Sequence, residues 1–222
     1  MNKNEKLDEL FEKWKKEKEI TNFVDDGFTY PEVYEKQNLK ILYILRDPHV
    51  VDTTKPASLR EDLKNPEGEG KTWNNIGRWT MSLLDDAAYE IAEDINTKIL
   101  AEQIARIGFM NLKKEAGSGQ AKNIAEFSEK HRDHIKKQIS ICDPDIIVAC
   151  GTFGELKNIV FERKWKRYPK ICNDKYRVMP IEINGKEVQV IEFYHPQYSR
   201  KNEELFNDMR TIKECLINNI NK

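Results

Sequence analysis

Lys40-Ile41-Leu42-Tyr43-Ile44-Leu45-Arg46-Asp47-Pro48-His49 is the stretch from which the architecture can be read. Its first half is a continuous apolar run with β-branched and aromatic members, the pattern of a strand buried on both faces. The run stops at Arg46. Pro48 has no amide hydrogen to give a sheet ladder and biases Asp47 toward an extended backbone, so the chain must leave the sheet here. A guanidinium, a carboxylate and an imidazole are thereby gathered at the carboxyl end of an interior strand, which is where open α/β sheets bind ligands.

Further strands follow from the same reading. Asp145 to Cys150 is the clearest buried strand, and Gly151-Thr152-Phe153-Gly154 turns it into a helix over Glu155 to Arg163. Ile107 to Leu112 is a short strand that ends in Asn111. Asn184-Gly185 between alternating apolar residues predicts a hairpin over Ile181 to Val190. Its second arm runs from Val188 to Tyr194 and ends in His195-Pro196. Helical spacing of apolar residues predicts helices over Met1 to Ile20, Thr72 to Leu84, Asn96 to Ala105, Asn123 to Cys142 and Asn202 to Ile220. Val50 to Lys71 is a long polar loop with a short helix around Ser58 to Leu63, and long loops in compact domains are often functional. Gly117-Ser118-Gly119 is a flexible loop that matches no P-loop. Strands alternating with helices, with no repeat and no dividing linker, predict a single α/β domain with a mainly parallel sheet over residues 1–222, residues 1–38 forming a helical extension packed on it.

Composition narrows the function. The chain of 222 residues is 39% hydrophobic and 34% charged, with mean hydropathy −0.74 and formal net charge −1. That balance gives a polar, soluble chain, and any affinity for phosphates must come from a local basic patch. Apolar runs are too short to cross a bilayer. The amino terminus is rich in both Lys and Glu, unlike a signal or transit peptide, so a cytoplasmic location is expected and no membrane partner. Cys142, Cys150, Cys172 and Cys215 have no Cys-x-x-Cys spacing and read as free thiols rather than metal ligands.

Three apolar strands end in polar side chains that a ligand pocket can use: Asp47, Asn111 and His195. Taken with their neighbours, these segments resemble the uracil-DNA glycosylase superfamily, in the right order over roughly residues 39–200. Ile44-Leu45-Arg46-Asp47-Pro48-His49 resembles the first active-site motif, closest to the branch that reads Gly-Gln-Asp-Pro-Tyr. Trp73 falls where the family has an aromatic residue that stacks on the base. Phe109-Met110-Asn111-Leu112-Lys113 resembles the strand with the base-reading asparagine. Pro144 to Gly151 resembles the signature Pro-x-x-Ile-Val-x-x-Gly, and Phe193-Tyr194-His195-Pro196-Gln197-Tyr198 the His-Pro-Ser motif. Leu45-Arg46 stands in place of Gly-Gln, His49 in place of the tyrosine that screens out the thymine methyl, and Gln197 in place of the serine. The cysteines do not match the family's iron–sulfur branch.

The resemblance implies a three-layer α/β/α fold around a central, mainly parallel four-stranded sheet, and a monofunctional DNA glycosylase that hydrolyses the N-glycosidic bond of uracil or another modified base flipped out of DNA. No cofactor and no metal are expected, and DNA is the expected partner of a monomer. In the implied roles Asp47 and His195 are catalytic, Asp47 stabilising the cationic sugar and positioning water while His195 donates a hydrogen bond to the base oxygen. Arg46, His49, Trp73 and Asn111 form the base-binding set, with Asn111 reading the base edge. Gly151, Thr152, Gln197, Tyr198, Arg200 and Lys201 are the expected DNA contacts, Tyr198 as a wedge into the duplex. The basic, aromatic segment Arg163 to Tyr168 is a further backbone-contact candidate. Two other readings stay open: a member that binds a base or nucleotide without cleaving it, suggested by Arg46 beside Asp47, and a hydrolase of free nucleosides or nucleotides.

Overall fold

The computed structural model describes residues 1–20, 22–48, 57–67, 70–115, 123–172 and 174–220. Among these, six strands form one sheet: β1 (Ile41–Leu45), β2 (Gly108–Asn111), β3 (Ile146–Cys150), β4 (Lys170–Ile171), β5 (Tyr176–Ile183) and β6 (Lys186–Phe193). Their order is β2-β1-β3-β6-β5-β4. β2, β1, β3 and β6 run parallel. The hairpin adds β5 antiparallel to β6, and β4 pairs antiparallel with β5.

The sheet is therefore mixed and six-stranded, which corrects the expectation of four mainly parallel strands. Asn184 and Gly185 both take positive φ, 50° and 79°, as a two-residue hairpin turn requires. A hairpin arm can pair with its partner in no other sense than antiparallel. β4 escaped the sequence reading because two residues directly after Pro169 carry no strand signal.

Every residue of β1 and β3 is buried, and their side chains alternate between two apolar layers. Ile41, Tyr43 and Leu45 face one layer. It is completed by Ile76 and Trp79 of α4 (Lys71–Leu84), Leu100 and Ile104 of α6 (Thr97–Ala105), and Met209 and Ile212 of α10 (Asn202–Ile220). Leu42 and Ile44 face the other, with Leu7, Phe11 and Trp14 of α1 (Lys3–Lys18) and Ile135 and Ile139 of α8 (Arg132–Cys142). Asn2 and Glu5 close α1 with a reciprocal capping box, satisfying two of its orphan amides.

Two expected helices differ. Asn123 to Cys142 is broken at His131 into α7 (Ile124–Lys130) and α8. His131 is turned into the core, where its Nδ1 accepts the Trp14 indole N–H at 2.7 Å. The helix after β3 is one short α turn, α9 (Phe153–Glu155), that widens into a π-helical turn over Leu156–Val160.

The outer edge of β2 is covered by the segment after α1. Phe109 N–H donates to Gly27 O at 2.9 Å and Val24 N–H to Lys114 O at 2.8 Å, so an edge that would otherwise invite pairing is closed. The same segment inserts Asp26. Its carboxylate accepts the Asn111 backbone N–H at 2.7 Å, Lys114 Nζ at 2.7 and 2.6 Å and Gln138 Nε2 at 2.6 Å. Asp26, Lys114 and Gln138 are all fully buried. Burial pushes the Lys114 ammonium below its ordinary pKa, and the Asp26 charge opposes that shift. Among the described residues no helix is long and apolar enough to cross a membrane.

Candidate active site

Because β2, β1, β3 and β6 lie side by side and point the same way, their carboxyl ends bring together Asn111, Asp47, Gly151 and His195. A cleft of about 430 Å³ opens there. Its walls include Leu45, Asp47, Pro48, Trp73, Asn111, His195 and Gln197. The volume lies in the range of small-molecule sites, which run from about 300 to 1,000 Å³.

His195 follows β6 by two residues and is half-buried. Its Nδ1 accepts the Gln197 backbone N–H at 3.2 Å, so the neutral ring carries its proton on Nε2. Burial lowers the pKa of this imidazole from its ordinary value; the Arg46 charge lowers it further and the Asp47 charge opposes. At neutral pH His195 is therefore an uncharged donor through Nε2. Gly151 packs against it, and a Cβ there would sit at ordinary contact distance, 3.4 Å from His195 Cβ. The backbone φ of +69° is what favours glycine at this turn.

Asn111 is almost fully buried, and among the described residues its side-chain amide has no hydrogen-bond partner. Its backbone is pinned by Asp26. Pairing of β1 with β2 continues past the strands, through Leu112 N–H to Leu45 O and Lys113 N–H to Arg46 O, both 2.9 Å, which holds the Asp47 and Asn111 ends in register. Trp73 forms a cleft wall and meets Phe109 edge-on, with ring centroids 5.3 Å apart and planes at 75°.

Arg46 is not among the residues that line the cleft. Its Nε is buried and finds no partner among the described residues, and its charge bears on His195. His49 and Gly117-Ser118-Gly119 lie outside the described residues.

The expected DNA contacts divide. Gln197 is exposed, Lys201 is exposed, and Tyr198 is half-exposed and stacked on Tyr194 at 4.8 Å with planes 12° apart. Arg200 is tied up: its guanidinium pairs with Glu204 at 2.7 Å and Asp208 at 3.1 Å, which raises its pKa further. Thr152 is a correction. It is fully buried, and its hydroxyl donates to Ile44 O at 2.9 Å, so it links β1 to the turn after β3 and does not face solvent. Gly151 is exposed, but its N–H already donates to Phe193 O at 2.9 Å. Arg163, Lys166 and Tyr168 share a hollow with Gly185 and Glu187, at the amino ends of the parallel strands and thus away from the cleft.

Other residues of the site escaped the sequence reading. Asn75, fully buried on α4, donates to Pro196 O at 2.7 Å and accepts from Arg78 at 3.2 Å. Lys71 Nζ donates to Tyr198 O at 3.0 Å. Together they clamp the turn after His195 to α4. A lone polar residue on the apolar face between Trp73 and Trp79 was the available signal for Asn75. Asp62 also lines the cleft, and burial, with Asp25 and Glu61 nearby, holds its carboxyl above the ordinary range. Nothing but its place in the long loop marked it. Among the described residues no group of three His, Cys, Asp or Glu side chains is placed to hold a metal ion.

No protein-family model matches the chain, and a search of curated proteins finds no match.

Proposed function

We propose that the protein is a DNA glycosylase that hydrolyses the N-glycosidic bond of uracil or another altered base flipped out of DNA. The observation that carries the reading is the convergence of Asp47, Asn111, Trp73 and His195 on one cleft at the carboxyl ends of the parallel strands. Helices on both faces of the sheet suit the three-layer α/β/α arrangement that the resemblance implies.

Breaking this bond builds positive charge on the sugar and negative charge on the departing base. Asp47 supplies the opposite charge beside the sugar and an acceptor for the attacking water. The His195 Nε2–H, free because Nδ1 is taken by Gln197, donates to the base oxygen as charge develops there. An uncharged imidazole in this role keeps its proton while stabilising the anion. The Asn111 amide, with donor and acceptor unspent among the described residues, reads the base edge. Trp73 supplies a flat apolar wall for the ring, a contact worth about 1–3 kcal/mol per base elsewhere. Gln197, Tyr198 and Lys201 meet the strand.

The test is base release from uracil-containing single- and double-stranded oligonucleotides, with the wild type beside Asp47→Asn and His195→Ala. Release that needs both residues supports the proposal. No release of uracil or of any base in a panel of modified bases, where a control enzyme works, overturns it.

A second reading rests on Arg46, a half-buried side chain whose charge lies close enough to His195 to shift its titration. A fixed cation there favours holding an anionic base or nucleotide, and the protein would then bind without cleaving. Tight binding with every base left intact is its signature.

A further inference from the structure

Cys172 and Cys215 are 43 residues apart in sequence, yet their Sγ atoms lie 3.0 Å apart. Cys172 stands in the turn between β4 and β5 with positive φ, and Cys215 on α10. Both are half-buried free thiols, within reach of a small solute. Cys142 and Cys150, by contrast, are fully buried in the two apolar layers on opposite faces of the sheet. A disulfide needs its sulfurs about 2.05 Å apart, so closure asks for a movement of about 1 Å.

Independent contacts hold the two elements together. Lys175 of the same turn pairs with Asp208 of α10 at 2.5 Å, and Tyr176 donates its hydroxyl to the same carboxylate. Asp208 and Cys215 are seven residues apart on α10, two helical turns along one face. The thiol contact therefore belongs to a docked interface and is not a chance approach of two loose side chains.

We infer that Cys172 and Cys215 form a redox-modification site, a dithiol that hydrogen peroxide converts to a reversible disulfide joining the β4–β5 turn to α10. The inference is independent of what the cleft binds. Cys172 donates its S–H to Cys215 Sγ, and burial pushes the Cys172 thiol up to about 12. Either sulfur of the pair can meet peroxide first while the other resolves, and both orders end in the same disulfide. With Cys215 first, its thiolate attacks one peroxide oxygen, the O–O bond breaks, and a sulfenic acid and hydroxide result. Cys172 sulfur then attacks Cys215 sulfur, the S–O bond breaks, and a second hydroxide leaves. The two thiol protons convert both hydroxides to water. Each sulfur is oxidised by one electron, and the peroxide is reduced by two.

The test treats the full chain with stoichiometric hydrogen peroxide, alkylates free thiols under denaturing conditions, and maps the peptides by mass spectrometry. The expected product is a Cys172–Cys215 cross-linked peptide two hydrogens lighter than its parts, with Cys142 and Cys150 alkylated and the link undone by dithiothreitol. Because the bond closes a long loop in the unfolded chain, the oxidised protein is expected to melt roughly 5–15 °C higher. Dithiothreitol should reverse that rise, and Cys215→Ser should lack it. Peptide mapping of the wild type does not depend on whether a variant folds. Two alkylatable thiols at these positions, a sulfinic acid without a link, a link to Cys142 or Cys150, or a linked protein that melts no higher would each overturn the inference.

Discussion

Replacing Lys114 by Met would remove the cation that faces Asp26 in the interior. Both side chains are fully buried, and the pair is bidentate at 2.7 and 2.6 Å. With the ammonium gone, Asp26 keeps the Asn111 N–H and the Gln138 amide but no countercharge. An uncompensated buried charge of this kind costs about 3–5 kcal/mol. Domains are stable by about 5–15 kcal/mol, and in a chain of this size each kcal/mol moves the melting point by about 2–4 °C, so Lys114→Met should melt roughly 6–20 °C lower. The double variant Asp26→Asn/Lys114→Met should recover most of the loss. The carbonyl of the introduced amide would still accept from Asn111, and its NH2 group would bond Gln138 Oε1 once the Gln138 amide turns over, an oxygen that is buried without a partner among the described residues in the wild type. Urea denaturation of the wild type, Lys114→Met, Asp26→Asn and the double variant, read as midpoint and slope, gives the coupling between the two sites. A loss under about 1 kcal/mol in the single variant, the value of an exposed ion pair, would refute the reasoning. So would a double variant no more stable than the single one.

Other perturbations probe the site and its supports. The His195 ring, followed by NMR, should titrate below the ordinary histidine value of about 6.5; Arg46→Met should move the midpoint up and Asp47→Asn down, and a wild-type midpoint above 6.5 would contradict an imidazole held down by burial and the Arg46 charge. His131 is held down to about 4 mainly by burial, so its charged form is disfavoured in the folded state and stability should fall as pH drops from about 6.5 toward 4. By pH 4.5 the loss from this group is on the order of 2–3 kcal/mol, and His131→Gln, which keeps an acceptor for Trp14, should show a flatter urea-midpoint profile over the same range. Asn75→Ala strands the Pro196 carbonyl and should cost about 1–3 kcal/mol in denaturant while lowering base release through a loosened His195 turn. Thr152→Val removes the donor to Ile44 O and should cost about 1 kcal/mol, with DNA affinity and its salt dependence unchanged; a shallower salt slope would mean that Thr152 meets phosphate after all.

Much of the fold was legible because burial on both faces leaves a local mark. β1 and β3 are unbroken apolar runs, and every one of their residues is buried. The Asn184-Gly185 turn was equally plain. β4 was not, since two residues beside a proline carry no pattern. The break at His131 was hidden for another reason: the helical spacing of Asn123 to Cys142 runs on through it, and the indole of Trp14, distant in sequence, draws the imidazole inward. In the site, Asp47, Asn111 and His195 stood out as polar residues ending apolar strands, and all three line the cleft. Thr152, expected to meet DNA from the turn after β3, proved internal, because a hydroxyl after a strand can turn back to a neighbouring carbonyl as readily as outward.

Taken alone, the sequence determined which of the longer segments are strands, where proline and glycine end them, and which polar side chains stand at those ends. Such features depend on a few adjacent residues and on apolar periodicity. Tertiary structure decided the strand order that sets Asn111, Asp47, Gly151 and His195 side by side, the addition of β4 at the sheet edge, and the supports beneath the site. Asp26 under Asn111, Asn75 under Pro196 and Cys172 against Cys215 each join groups far apart along the chain. A buried charge, a carbonyl or a thiol takes whichever partner the folded packing brings within hydrogen-bond reach, and nothing in its sequence neighbourhood records that choice.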